Sequence, residues 1–88
     1  MLTVEALNQA LETARRLGFK VRMEWLGGNG GGACEIRGEK WIFVDLANNA
    51  EEQLDCVLEA FQQEADQSVL PLPIQPDLQQ LIERRKSA

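Results

Sequence analysis

Residues 19–46 read "FKVRMEWLGGNGGGACEIRGEKWIFVDL", and this stretch contains the strand pattern from which the fold is predicted. Apolar and polar residues alternate over 19–25, which is the pattern of a strand with one buried face. The alternation returns over 33–37, and a third, more apolar run occupies 41–46. Because the connections between these runs are short, we expect three strands that pair in sequence order as an antiparallel β-meander.

Segments with helical spacing flank the three strands on both sides. Apolar positions that recur every three or four residues over 4–17 predict a first helix, with Thr3 as its N-cap. A long second helix follows Asn49, which forms a capping box with Glu52. A short third helix is expected from Pro76. The predicted class is α+β, with the helices on one face of the sheet.

The chain divides into a domain and an arm. Residues 1–68 are expected to form a single compact α-β-β-β-α domain, because a chain of 88 residues can bury one small core. Residues 69–88 are expected to form a proline-rich arm and a short helix that packs on this domain or on a partner. The prolines keep the arm extended and lack backbone donors, which suits a segment that lies across a surface.

The charge distribution narrows the classes of partner. The net charge is −5, and residues 48–68 contain six acidic and no basic residues. Since nucleic-acid binding normally needs a basic face, no nucleic-acid partner is expected. No apolar run approaches the roughly 20 residues that span a membrane, so no membrane insertion is expected, and two free cysteines suit a cytoplasmic protein. The acidic helix 50–66 is either a solvated surface or a docking surface for a basic protein.

Few residues are candidates for catalysis. The sequence contains no histidine, which excludes Ser-His-Asp triads, Cys-His dyads and histidine-containing zinc sites within one chain. Alternation places Cys34 and Ile36 on the inner face of the sheet, and a helical wheel places Cys56 at the surface or in a contact. A thiol-dependent enzyme using Cys34 is the remaining enzymatic hypothesis. We assign no catalytic residue, metal ligand or cofactor, and we expect no catalytic activity.

The glycine-rich loop between the first two strands is the candidate ligand site. Residues 28–33 fit the loose pattern GxGxxG/A, with Asp45 at a passable distance beyond. A strand follows these glycines instead of a helix, which excludes a dinucleotide-binding turn, and no GK[ST] follows to make a P-loop. Two interpretations stay open: a tight hairpin loop, or a nest of amides over 27–32 that binds a small anion or a nucleotide. The candidate ligand-binding residues are Gly27, Gly28, Asn29, Gly30, Gly31, Gly32 and Cys34.

The third strand is apolar on both faces. Ile42, Val44 and Leu46 point to one side, and Trp41 and Phe43 point to the other. Helices on one side cover only one set, so we expect the aromatic set at an interface, covered by the arm and by a second copy of the chain. The leading hypothesis is a small, self-associating interaction module, and the alternative is an anion- or nucleotide-binding domain. The candidate interface residues are Trp41, Phe43, Leu70, Leu72 and Ile74.

Two resemblances accompany these patterns. The segments "RLGFKVRMEWLGGNGGGACEIRGEKWIFVDL" and "AEEQLDCVLEAF" resemble a family of short uncharacterised bacterial proteins over about residues 14–61. The shared pattern is a glycine-rich turn, C-x-I-x-G, and a strand ending in Asp-Leu, and it brings no known activity. The layout also resembles the N-terminal part of ImmA/IrrE-type metallopeptidases, where strands precede a helix with HExxH. Here that helix reads "CVLEAFQQ", with Glu59 at the glutamate position and without either histidine, so this resemblance implies no zinc hydrolase.

Overall fold

Three helices and three strands make up the computed structural model, which describes residues 2–87, with side chains as far as Arg85. In chain order they are α1 (Thr3–Arg16), β1 (Lys20–Glu24), β2 (Gly32–Ile36), β3 (Glu39–Asp45), α2 (Ala50–Gln67) and α3 (Pro76–Ser87). The strands form one sheet. The predicted α+β class is therefore confirmed.

The strand order in the sheet is β1-β3-β2, so the prediction of a purely antiparallel meander is wrong. β1 pairs with β3 in parallel, with Val21 opposite Ile42. β2 pairs with β3 antiparallel, with Cys34 opposite Trp41. The first and second strands, expected to be neighbours, lie on opposite sides of the third.

The two connections explain this order. Arg37 and Gly38 form a two-residue turn at φ 54° and 81°, and such a left-handed pair holds β2 directly beside β3. Residues 25–31 impose no such constraint. They connect β1 to β2 across the end of β3, a distance of two strand spacings or about 10 Å, and seven residues are long enough to span it. β3 gains a partner on each side, so the most apolar strand has no free edge.

Local capping chemistry accounts for the start of α2 but not of α1. Asn49 Oδ1 accepts a hydrogen bond from the Glu52 amide at 2.8 Å, and Glu52 Oε1 accepts one from the Asn49 amide at 3.0 Å. This capping box confirms the prediction. The N-cap of α1 is Leu2, without a side-chain hydrogen bond; Thr3 already lies in the first turn, so its assignment as the cap is wrong. Pro76 begins α3 as predicted.

The core lies between the helices and one face of the sheet. Ile42 and Val44 of β3 are fully buried there, together with Phe61 of α2 and Leu78 of α3. The rings of Phe19 and Phe61 contact each other at 6.4 Å between centroids. The helices therefore remove one side of β3 from water, and this burial supplies most of the hydrophobic stabilisation.

Cys34 and Ile36 are exposed on the face away from the helices, so the prediction that they point inward is wrong. The two-residue turn fixes the register: Ile36 opposes Glu39, and Cys34 opposes Trp41. Because side chains alternate along a strand, Cys34 shares the face of Trp41. The turn thus overrides the apolar pattern, since shifting the register by one residue would be needed to turn these side chains inward.

Candidate functional site

The glycine-rich loop wraps around the carboxylate at the end of β3. Asp45 Oδ1 accepts hydrogen bonds from the amides of Leu26 at 3.0 Å and Ala47 at 2.9 Å. Asp45 Oδ2 accepts a third from the amide of Gly30 at 3.2 Å. The side chain is almost inaccessible, with Asp45 1% exposed, so these amides replace its water. The loop forms an anion-binding nest, and the anion that it holds belongs to the same chain.

The ionisation of Asp45 follows from these contacts. Desolvation by burial raises the pKa of the carboxyl group, because it disfavours the charged form. The backbone amides of Leu26, Ala47, Gly30 and Gly28 outweigh this effect and hold the pKa of Asp45 below its ordinary value of 3.8. Asp45 is therefore a carboxylate at neutral pH, and its geometry suits anchoring of the loop.

Asp45 is absent from the predicted site residues, although the sequence contains a signal for it. It is the acidic residue that ends the most apolar strand, and a glycine-rich loop lies earlier in the chain, directly before the preceding strand. Glycine-rich turns present several amides to one point, and a carboxylate is a suitable acceptor for them. Pairing the loop with an acid of the same chain would have identified Asp45.

Two glycines of the loop are required for different reasons. Gly30 has φ 73°, in the left-handed region, and the space around it is open. Gly31 lies outside that region, but a Cβ atom there would overlap the carbonyl oxygen of Phe43. Gly30 thus supplies a backbone angle, whereas Gly31 permits close approach to β3.

The other candidate ligand residues divide between the loop and the sheet. Asn29 Nδ2 donates to the carbonyl oxygen of Leu26 at 3.0 Å and closes the turn that contains Gly27 and Gly28. Gly32 is the first residue of β2. Cys34 lies further along that strand, on the face of Trp41, so it is not part of the nest around the carboxylate.

The two thiols occupy contrasting environments. Cys34 is exposed, whereas Cys56 is half-buried, packs against the core and donates to the carbonyl oxygen of Phe43 at 3.5 Å. Burial, followed by the carboxylates of Glu59 and Asp55, raises the pKa of Cys56 against the opposing effect of a loop amide. A thiol with a raised pKa stays protonated and is a poor nucleophile at neutral pH.

The side of the sheet away from the helices carries an aromatic pair, and we call it the open sheet face. Its residues are Lys20, Arg22, Glu24, Cys34, Ile36, Glu39, Trp41 and Phe43. The rings of Trp41 and Phe43 stack at 5.8 Å between centroids, with 13° between their planes. Lys20 Nζ lies 5.6 Å from the centre of the Trp41 ring. The Trp41 indole nitrogen is shielded from solvent and has no hydrogen-bond partner within the described chain.

The charges of the open sheet face balance. Lys20 pairs with Glu39 at 2.9 Å, and Arg22 pairs with Glu24. The face thus carries two basic and two acidic side chains within a chain of net charge −5. Exposed pairs of this kind add little stability, so their main effect is on the electrostatic potential of the face.

The arm lies on the helix side of the molecule. Ile74 packs against the core, and Gln75 Oε1 accepts a hydrogen bond from Thr13 of α1 at 2.9 Å. Leu72 is half-buried, and Leu70 is exposed. The structure therefore brings the aromatic pair together, but it places these predicted interface residues of the arm away from it.

The acidic helix α2 is partly neutralised within the chain. Arg85 Nε donates to Asp55 at 2.8 Å, and Lys40 Nζ pairs with Glu64 at 2.8 Å. Among the described side chains, Glu51 and Asp66 have no ion-pair partner. The helix therefore presents a negative surface to solvent.

Comparison of the chain with protein-family models, curated proteins and solved structures finds no match. Over residues 2–87, every helix is too short or too polar to cross a membrane. In the same part of the chain, no three His, Cys, Asp or Glu residues are grouped to hold a metal ion. The two resemblances remain predictions, and the geometry of the sites is the basis for inferring function.

Proposed function

We propose that the protein is a small, non-catalytic, cytoplasmic interaction domain that forms a homodimer through the open sheet face. The stacked pair of Trp41 and Phe43 carries this proposal, because two large aromatic side chains lie on a face that no described segment covers. Ile36, which is 44% exposed, extends the apolar surface. Aromatic clusters of this kind are typical centres of protein interfaces.

The charge pattern supports a second copy of the chain as the partner. The open sheet face has no net charge, whereas the surface of α2 is negative. Two acidic chains repel each other least where each presents a balanced face. Across a two-fold axis, Lys20 and Arg22 of one copy can approach Glu24 and Glu39 of the other, which favours this self-complementary contact.

Light scattering from nanomolar to high micromolar concentration tests the homodimer. We expect the mass of the parent to double in the low micromolar range, and Trp41→Ala to remain at the monomer mass of 9.9 kDa. Leu70→Ala is the matched control, because Leu70 is exposed on the arm, and this variant should dimerise like the parent. A parent that stays monomeric throughout, or equal loss of the dimer in both variants, would overturn the proposal.

Binding of a small anion or a nucleotide by the glycine-rich loop is the competing proposal. The amides of Leu26 and Gly30 already donate to Asp45, so an external anion must displace a carboxylate of the same chain. We therefore expect inorganic phosphate and nucleotides to leave the melting temperature of the parent unchanged. A saturable rise in melting temperature would favour the competing proposal.

A further inference from the structure

A continuous groove runs along the outer edge of β2. It consists of a cavity of about 850 Å³ and a smaller one of about 160 Å³, which share Ala33 of β2 and two residues of α2, Ala60 and Gln63. Residues 30–33 line one side of the larger cavity, and Leu81 of α3 lines the other. α2 packs against both β2 and α3 and forms the floor.

The backbone of β2 presents unpaired groups to this groove. β2 is an edge strand, paired on one side only within the described chain. The two-residue turn makes Ile36 and Glu39 a hydrogen-bonded pair, and such pairs alternate with non-bonded pairs along an antiparallel ladder. In the observed register, Ala33 and Glu35 therefore direct their N–H and C=O groups away from β3. Both residues line the groove, so these donors and acceptors are available to another strand.

The side chains of the groove combine an acidic rim with an apolar floor. The charged residues of the larger cavity are four acids and two bases: Glu51, Glu52, Asp55, Glu59, Arg84 and Arg85. Its apolar side chains include Leu54, Leu58, Ala60 and Leu81. The excess of acidic groups favours a basic ligand, and the apolar floor suits the aliphatic stems of Lys and Arg.

We propose that the groove binds an extended, basic peptide segment of a partner protein, which pairs with β2 as a fourth strand. Main-chain hydrogen bonds to Ala33 and Glu35 supply affinity. Alternate side chains of the peptide point toward α2, where Lys or Arg stems lie on the apolar floor and their charges reach carboxylates such as Glu51 and Glu59. β2 of a second copy does not suit this acidic groove as the fourth strand, because it carries Glu35 and no basic residue.

A labelled, blocked heptapeptide in which Lys and Thr alternate is the probe, and fluorescence polarisation measures its affinity for the full chain. We expect saturable binding that weakens about tenfold or more when Glu replaces every Lys. Two further versions of the Lys peptide carry N-methyl groups on alternate backbone nitrogens. In one isomer these nitrogens face β2, and in the other they face away from it. Only the isomer whose methyl groups face β2 should lose about tenfold or more, because only it loses main-chain hydrogen bonds. Absence of binding, equal binding of the Lys and Glu peptides, or equal affinity of the two isomers would overturn the proposal.

Variants of the chain locate the contact. Ala33→Pro removes the outward amide but leaves the hydrogen bonds to β3, and it should weaken binding of the Lys peptide about tenfold. Trp41→Ala, on the open sheet face, is the matched control and should bind like the parent, so that failure of the groove is distinguishable from failure of the homodimer. Loss of binding in Trp41→Ala with retention in Ala33→Pro would contradict the proposal. The N-methyl isomers test the same contact in the unaltered protein, whatever the stability of Ala33→Pro.

Discussion

The two faces of the sheet differ although the same strand supplies both. On β3, Ile42 and Val44 are fully buried beneath the helices, whereas Trp41 and Phe43 are half-buried and stacked on each other. Both pairs are apolar, so hydropathy alone does not distinguish them. The difference lies in the rest of the chain, which covers one face with helices and, among the described residues, leaves the other open. One face therefore stabilises the fold, and the other leaves apolar surface in contact with solvent.

Substitutions on the two faces of β3 should differ most in their effect on the free energy of unfolding. Ile42→Ala should lower the free energy of unfolding by about 3 kcal/mol, because it leaves a cavity in the core. Trp41→Ala should lower it by only about 1 kcal/mol, since the indole is partly accessible in the monomer. Urea denaturation at a concentration below that of self-association measures both. Equal losses would show that Trp41 belongs to the core of the monomer.

Gly30 and Gly31 of the glycine-rich loop offer the next comparison. A Cβ atom would have open space at Gly30 but would overlap the backbone of Phe43 at Gly31. Gly31→Ala should lower the free energy of unfolding by about 2 kcal/mol, because the new methyl group must displace the backbone at Phe43. Gly30→Ala should cost about 1 kcal/mol, because only the backbone angle is unfavourable. Thermal unfolding of the two variants decides between these mechanisms. The reverse order would mean that the loop does not approach β3 so closely.

Acid should weaken the attachment of this loop. The pKa of Asp45 is lower in the folded chain than its ordinary value of 3.8, so the ionised form is favoured by folding. Its contribution to stability is complete above that ordinary value and is lost as the pH falls through the lower, folded-state pKa. Asp45→Asn should be less stable than the parent at neutral pH, and the difference should shrink in acid. Urea denaturation at several pH values measures it, and a constant difference would contradict the assigned role of the carboxylate.

The smallest expected effect on stability belongs to the thiol of the open sheet face. Cys34→Ser should change the free energy of unfolding by less than about 0.5 kcal/mol, because Cys34 is exposed. In the native parent, below the concentration of self-association, a thiol reagent should modify Cys34 well before Cys56, whose burial and raised pKa both slow the reaction. Mass spectrometry of partly labelled protein gives the order. Faster labelling of Cys56 would place that thiol outside the core.

The sequence contains enough information for the elements of this fold but not for their arrangement. The turn at Arg37 and Gly38 and the capping box at Asn49 are local, so residue type and spacing predict them. The position of β1 depends on the path of residues 25–31, and a glycine-rich connection of this length permits either side of β3. The prediction for Cys34 is wrong for a related reason: the register follows the turn, whereas hydropathy reports only an average preference for burial.

The site is less predictable than the fold, because it depends on contacts between distant segments. The aromatic face of β3 follows from strand alternation, and the structure places Trp41 and Phe43 together on it. The nest around Asp45 requires the loop to pass the end of β3, which local pattern does not specify. The groove beside β2 likewise depends on the strand order, since a meander would have placed β1 along that edge.

Isotope-filtered NMR of an equimolar mixture of labelled and unlabelled chains locates the homodimer interface residue by residue. At a concentration where the dimer dominates, we expect intermolecular nuclear Overhauser effects to the rings of Trp41 and Phe43 and to the methyl groups of Ile36. These contacts should disappear in Trp41→Ala. Intermolecular contacts that involve only α2, α3 or the arm, or none at any concentration, would contradict self-association through the open sheet face.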